Sequence, residues 1–101
     1  MRRVVVTGLG ALTPIGNTLH EYWDGLQNGI SGAEIITRFN PEKFKTKFAC
    51  EVKGYDSANF FDRKEVNKLD LYTQFALVAT DEALKDSGLD LEKIDKDRAG
   101  V

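Results

Sequence analysis

The chain has 101 residues, of which 42% are hydrophobic and 30% charged, and its formal net charge is −2. That length allows one domain at most, or a piece of one, and a chain this rich in aliphatic and aromatic residues is not intrinsically disordered. The charge gives no reason to expect a nucleic-acid partner, and no apolar run approaches the length of a membrane span.

The N-terminus carries Arg2 and Arg3, but only Val4–Val6 follow before glycine, too little for the apolar region of a signal peptide. One cysteine, Cys50, makes no internal disulfide and excludes a cysteine-rich zinc site. A cytoplasmic location is the expectation. The charge is unevenly distributed: Met1–Thr37 is net −1, Arg38–Lys68 is net +3 and Leu69–Val101 is net −4. A basic segment thus lies inside an acidic whole.

Arg3–Thr7 reads as a buried strand, because three successive valines are apolar on both faces, as in a central parallel strand. Gly8–Gly16 continues that strand or turns, and Pro14, lacking a donor, marks an edge or an ending. Thr18–Gln27 reads as a short helix. Thr18 and Glu21 form a capping-box pattern, Leu19, Tyr22, Trp23 and Leu26 fall on one apolar face, and Gly29 supplies the stop.

Ser31–Phe61 has six aromatic residues but no sustained period, with short strands expected at Glu34–Ile36 and Phe48–Val52. A stretch this irregular is expected to pack on another part of a larger protein. Asp62 and Glu65 resemble a helix start. From Leu69 the helical pattern is strong, with most of its circumference apolar as far as Ala79, polar residues Asp81, Glu82, Lys85 and Asp86 beyond, and Gly88 as the stop. The pattern leaves open whether this helix runs unbroken from Asp62. A polar turn then leads to the first residues of a strand at Ala99–Val101, which should pair with the first strand. A core strand begun there implies that residues 1–101 are the N-terminal piece of a longer protein.

The glycine segment "VVVTGLGALTPIGN" poses the first functional question. A dinucleotide fingerprint needs G-x-G-x-x-G directly before a helix. Gly8 and Gly10 fit, but the third position is Thr13, Pro14 follows, and the helix cap waits until Thr18. No helix N-terminus stands beside the turn to hold a pyrophosphate. The reading from the residues is that Gly8 and Gly10 let neighbouring segments approach a tightly packed strand.

The same stretch closely resembles the N-terminal signature of the β-ketoacyl-acyl-carrier-protein synthases, the condensing enzymes of fatty-acid synthesis. "GISGAEIITRFNPEKFKTKFACEVKGYD" and "DRKEVNKLDLYTQFALVATDEALKDSGLD" are similar to the segments that follow in the type II branch, and the likeness runs in order along essentially the whole chain. It implies an α/β fold, the N-terminal part of a thiolase-like architecture layered α/β/α/β/α in the complete protein and incomplete in this chain. It also implies a homodimer, a decarboxylating Claisen condensation, an acyl carrier protein bearing acyl and malonyl groups as partner, and no cofactor or metal.

By that resemblance the nucleophilic cysteine and two catalytic histidines lie beyond Val101, so no catalytic residue is expected here and the piece alone is expected to be inactive. Cys50, in "KFACEVK", does not match the family's nucleophile motif and reads as structural or incidental. His20, the sole histidine, reads as a solvated helix residue. Arg63, Lys64 and Lys68 match basic positions that meet the acidic helix of the carrier protein, whereas Asn67 departs from that pattern. On residues alone, the cluster reads as a solvated helix end offset by Asp62, Glu65 and Asp70; the resemblance tips it toward carrier binding. Two other readings stand: a non-catalytic, chain-length-factor-like partner of polyketide synthesis, and a nucleotide-binding oxidoreductase, against which the failed glycine spacing argues.

Overall fold

The computed structural model describes residues 1–101. In chain order it contains helix α1 (Leu19–Gln27), strands β1 (Ala33–Ile35) and β2 (Phe48–Cys50), the one-turn helix α2 (Arg63–Val66) and the long helix α3 (Leu71–Ser87). Short 3₁₀ turns occupy Ser57–Asn59 and Lys96–Arg98.

The helix ends follow from their capping residues. The Thr18 hydroxyl accepts from the Glu21 amide at 3.2 Å and starts α1. The reciprocal half of the expected box is displaced by one residue: the Glu21 carboxylate accepts from the Asn17 amide, at 2.8 Å. Asn28 caps the other end, and Gly29 follows with φ +63°. Gly88, at φ +64°, terminates α3 in the left-handed conformation that favours glycine. The long helix is not continuous with Asp62. Asp62 and Glu65 close a complete capping box around α2, the chain leaves the helix at Asn67, and α3 restarts after Asp70.

β1 and β2 form an antiparallel hairpin with Ala33 opposite Cys50 and Ile35 opposite Phe48. Both strands are three residues long, shorter than the expected Phe48–Val52 and one residue earlier than the expected Glu34–Ile36. Thr13–Gly16 forms a tight turn with reciprocal backbone hydrogen bonds, so Pro14 does mark an ending.

Two expected strands are absent. Arg3–Thr7 joins no ladder, and Val4, Val5 and Val6 are 94, 70 and 78% exposed. Ala99–Val101 is likewise unpaired, and the two segments do not pair with each other. A strand exists only through its neighbour's hydrogen bonds, and the only two strands here satisfy one another. The expected burial around α3 also fails: Leu71, Tyr72 and Leu77 are 41, 74 and 46% exposed. α1 packs by Gly25 against Ile15, and its predicted apolar residues Trp23 and Leu26 remain exposed.

Only Gly25 and Gln74 are buried, and no hydrophobic residue is. The accessible surface is 8683 Å², against about 5,700 Å² for a compact protein of this mass. The radius of gyration is 17.1 Å, against about 13 Å for a compact domain of about 100 residues. Apolar faces this large do not stay in water without partners. The 101-residue chain expressed alone should therefore associate or fold loosely; a cooperative melt from a monodisperse monomer would contradict this.

Candidate functional site

The glycine segment lies directly on α3. A Cβ at Gly8 would stand 2.6 Å from the Ser87 amide nitrogen, and one at Gly10 2.8 Å from the Ala83 nitrogen, with the carbonyls of Ala83 and Ala79 nearer still. Backbone meets backbone across a row of small residues, Ala79, Ala83 and Ser87, one helical turn apart. No other residue type fits at either glycine without moving the helix, so the reading of these glycines as close-approach positions holds.

The same helix face carries acids. Asp86 Oδ2 accepts from the Leu9 amide at 3.0 Å, and Glu82 Oε1 accepts from the Ala11 amide at 2.8 Å and from the Leu19 amide at 2.9 Å. Amides at a glycine turn and a helix N-terminus are what a phosphate would use. Here the protein's own carboxylates occupy them. From sequence Glu82 and Asp86 read only as polar residues beyond the apolar part of the helix; the signal that identifies them is the repeat of a small residue after each acid (Glu82-Ala83, Asp86-Ser87) at a spacing of four.

The basic cluster sits at and just after α2. Arg63, Lys64 and Lys68 are all exposed. Of the acids expected to offset them, Asp62 and Glu65 cap α2: Asp62 Oδ1 accepts from the Glu65 amide at 2.8 Å, and Glu65 Oε2 from the Asp62 amide at 3.1 Å, whereas Asp70 is exposed and makes no side-chain cap bond. The ion pairs of the chain are Lys85–Asp81 and Lys93–Asp90, so none neutralises the cluster. Beside Arg63, a hollow of about 290 Å³ is lined by Ser57, Ala58, Phe61 and Val66.

Four residues into α3 lies Gln74, 2% exposed. Its Nε2 donates to the Leu69 carbonyl at 3.0 Å, and its Oε1 accepts from the Tyr55 hydroxyl at 2.7 Å. Tyr55 stacks on Phe60 and meets Phe75 edge-on, with ring centroids 5.7 and 5.0 Å apart. Burial, with the Asp56 charge second, pushes the Tyr55 phenol above its ordinary pKa.

Cys50 is free and exposed on β2. The nearby Lys53 donates instead to the carbonyls of Pro14, Gly32 and Glu51 at 3.0–3.2 Å. A lysine committed to three carbonyls is a structural tie between segments. His20 is exposed on α1, and no group of metal-ligating side chains converges anywhere in the chain. No helix is long and apolar enough to cross a membrane.

A family model described as "Beta-ketoacyl synthase, N-terminal domain" matches residues 1–101. The chain belongs to the β-ketoacyl synthase family. Its fold is accordingly the N-terminal part of the thiolase-like α/β fold. A Synechocystis sp. relative named 3-oxoacyl-acyl-carrier-protein synthase 2 is 46% identical over 100 residues, covering 99% of this chain and 24% of its own. The solved structure of the ishigamide ketosynthase/chain length factor is 36% identical, with TM-score 0.80 over 92% of this chain and 23% of that one. A type II PKS acyl-carrier protein in complex with its ketosynthase bound to the hexaketide matches at 26% identity and TM-score 0.67, covering 90% of this chain and 23% of that one. The chain thus spans about a quarter of the length of the curated relatives it matches.

Glu82 and Asp86 should differ in consequence. Glu82→Ala in the full-length protein removes an acceptor shared by two part-buried amides, each such charge-assisted bond contributing about 1.5–3 kcal/mol. Hydrogen exchange at Ala11 and Leu19 should accelerate tenfold or more, while Asp86→Ala, whose bond is exposed, should affect Leu9 alone and by less. Equal effects would mean that Glu82 does not join the two segments.

Glu51 gives a pH dependence. The Thr37 hydroxyl, donating at 2.7 Å, and the Thr37 amide hold its carboxyl below the ordinary glutamate pKa, with the Arg38 amide and charge adding to the shift. A folded pKa below the unfolded one means that the tie is complete above the ordinary glutamate range and is lost as pH falls through the lowered value. Exchange of the Thr37 amide should therefore rise in that acid window. Thr37→Val should return the Glu51 titration toward its ordinary position; an unchanged titration would assign the shift to the backbone amides of residues 37 and 38 and the Arg38 charge.

Proposed function

We propose that residues 1–101 are the N-terminal segment of the first thiolase-like half of a 3-oxoacyl-acyl-carrier-protein synthase of type II, a homodimer working in the cytoplasm. The observation that carries this reading is the family match over every residue, joined to 46% identity with a relative of that name. In the proposed reaction a cysteine thiolate takes the acyl group from its carrier as a thioester. Malonyl carrier protein then loses carbon dioxide, and the carbanion left behind attacks that thioester. Backbone amides steady the tetrahedral oxygen, and collapse expels the cysteine thiolate to leave a 3-oxoacyl product. The cysteine and the histidine pair are expected beyond Val101. Neither Cys50, whose neighbouring lysine is engaged elsewhere, nor the exposed His20 has the surroundings for these roles.

In this reading Arg63, Lys64 and Lys68 form part of the carrier-docking patch. Their support is that all three are exposed and none is in an ion pair, the Asp62 and Glu65 carboxylates being directed to backbone amides. Exposed cations of this kind speed and orient the approach of an acidic partner more than they tighten its complex. The apolar hollow beside Arg63 would take an uncharged side chain from the same partner. Asn67, where the family pattern has a basic residue, removes one contact.

A non-catalytic, chain-length-factor-like partner is the second reading; the likeness to a ketosynthase/chain length factor at TM-score 0.80 does not favour it over the enzyme. The sequence past Val101 separates the two, since only the enzyme requires the cysteine and both histidines. A nucleotide-binding role is disfavoured by the carboxylates on the Leu9, Ala11 and Leu19 amides. Thermal stabilisation of the full-length protein by a nicotinamide dinucleotide would restore it.

Two outcomes test the proposal. The 101-residue chain, incubated with acyl and malonyl carrier protein, should make no 3-oxoacyl product; product that vanishes with Cys50→Ala would overturn the assignment. In the full-length enzyme, replacing Arg63, Lys64 and Lys68 together by Glu should lower kcat/KM for carrier-linked substrate on the order of tenfold, while acylation from a small thioester is spared. The difference should shrink as salt rises above about 0.1 M. Equal loss with both substrates would make the residues structural, and no loss would make the cluster an ordinary solvated helix end.

A further inference from the structure

Arg63 and Lys64 sit on a helix of four residues and Lys68 just after it; a helix of that length is far too short to hold itself in place. Something else must fix where those charges point. Before the helix, ahead of the 3₁₀ turn Ser57–Asn59, runs Tyr55, and just after the helix Leu69. Both are joined to one side chain on the first turn of α3, that of Gln74. Gln74 is the one buried polar side chain of the chain, and both ends of its amide are used. Tyr55 is further gripped by Phe60 and Phe75, with Phe75 the neighbour of Gln74 on α3. The loop that carries Arg63, Lys64 and Lys68 is therefore pinned at entry and exit to the same point of the long helix.

We infer that Gln74, bridging Tyr55 and Leu69, is a positioning residue that sets the orientation in which Arg63, Lys64 and Lys68 meet an acidic partner surface. The inference rests on the docking role proposed for those cations. Gln74 touches neither substrate nor partner; it acts through the loop it closes. Its side chain is suited to the task because it offers a donor to the carbonyl and an acceptor to the phenol at once. Leucine, of similar size, offers neither and leaves the Tyr55 hydroxyl and the Leu69 carbonyl without this partner. The loop would then sample other orientations, and the cations would be present but wrongly aimed.

The test uses the full-length enzyme with Gln74→Leu, and Tyr55→Phe as the milder variant that removes one bond and keeps the ring packing. Acylation from a small thioester reports whether the fold survives. For carrier-linked substrate, KM should rise about three- to tenfold, the worth of one ordinary hydrogen bond, with kcat unchanged. Hydrogen exchange between Arg63 and Leu69 should accelerate in the same variants. The decisive comparison repeats Gln74→Leu in the enzyme whose three cations are already Glu. If Gln74 works through the cluster, it should cause no further rise in KM there; independent effects would add. An additive rise, an equal loss with the small thioester, or no change from either variant overturns the inference while leaving carrier docking intact. If the triple Glu enzyme itself handles carrier-linked substrate normally, the docking role falls and takes the positioning role with it.

Discussion

Glu82 meets two amides far from it in the chain, Ala11 in the glycine segment and Leu19 at the start of α1, and the arrangement of the N-terminal half depends on that meeting. The glycine segment has no strand partner here, so its amides need another acceptor or stay with water. The long helix supplies one because Gly8 and Gly10 allow its backbone to come within touching distance. The two conditions require each other: a side chain at either glycine would push the carboxylates out of range, and without the carboxylates the close approach would bring amide donors against a helix surface with nothing to accept them.

This explains how a chain with no buried hydrophobic residue can still have a defined layout. Three polar side chains each join segments far apart in sequence. Glu82 collects amides, Lys53 collects carbonyls from the Thr13–Gly16 turn, the start of the hairpin and its end, and Gln74 joins a phenol to a carbonyl. Most large apolar residues face outward instead, among them Val4–Val6, Trp23, Phe48 and Leu77. Polar ties fix direction better than they supply stability, because each exchanges water for protein at a small net gain. Stability on the scale of a domain needs the apolar faces covered.

Elements whose causes are local were legible in the sequence. Thr18 before α1, Gly88 after α3 and the Asp62–Glu65 box are decided within a few residues, and all stand as read. The break between α2 and α3 was not, because the pattern through Asn67 and Leu69 is compatible with helix and the glutamine that captures the Leu69 carbonyl acts from the next helix. Arg3–Thr7 read as a strand on apolar content, which measures what a segment can bury and not what is available to pair with it. For the site, the cationic residues were visible but their freedom was not. Asp62 and Glu65 look like ion-pair partners until it is known that both carboxylates are directed to backbone amides. Glu82 and Asp86 went unrecognised because hydrophobic periodicity passes over a contact face made of alanine, serine and acid.

The chemistry of the ties matters for the surface they support. A tie made by a charged pair at the ends of the loop that carries Arg63, Lys64 and Lys68 would add its own field to theirs and would change with pH. Gln74 carries no charge at any pH, and Tyr55 is kept protonated by the burial that raises its phenol pKa. The hydroxyl therefore stays a donor to Gln74 over a wider alkaline range than a solvated tyrosine would. Position and charge are in this way assigned to different side chains. Neutral groups hold the loop, and the charged groups, Arg63, Lys64 and Lys68 with the exposed carboxylates of Asp62, Glu65 and Asp70, lie on its surface. An electrostatic encounter is sensitive both to the sign of the field and to where it is centred, and this division keeps each of them independent of the other.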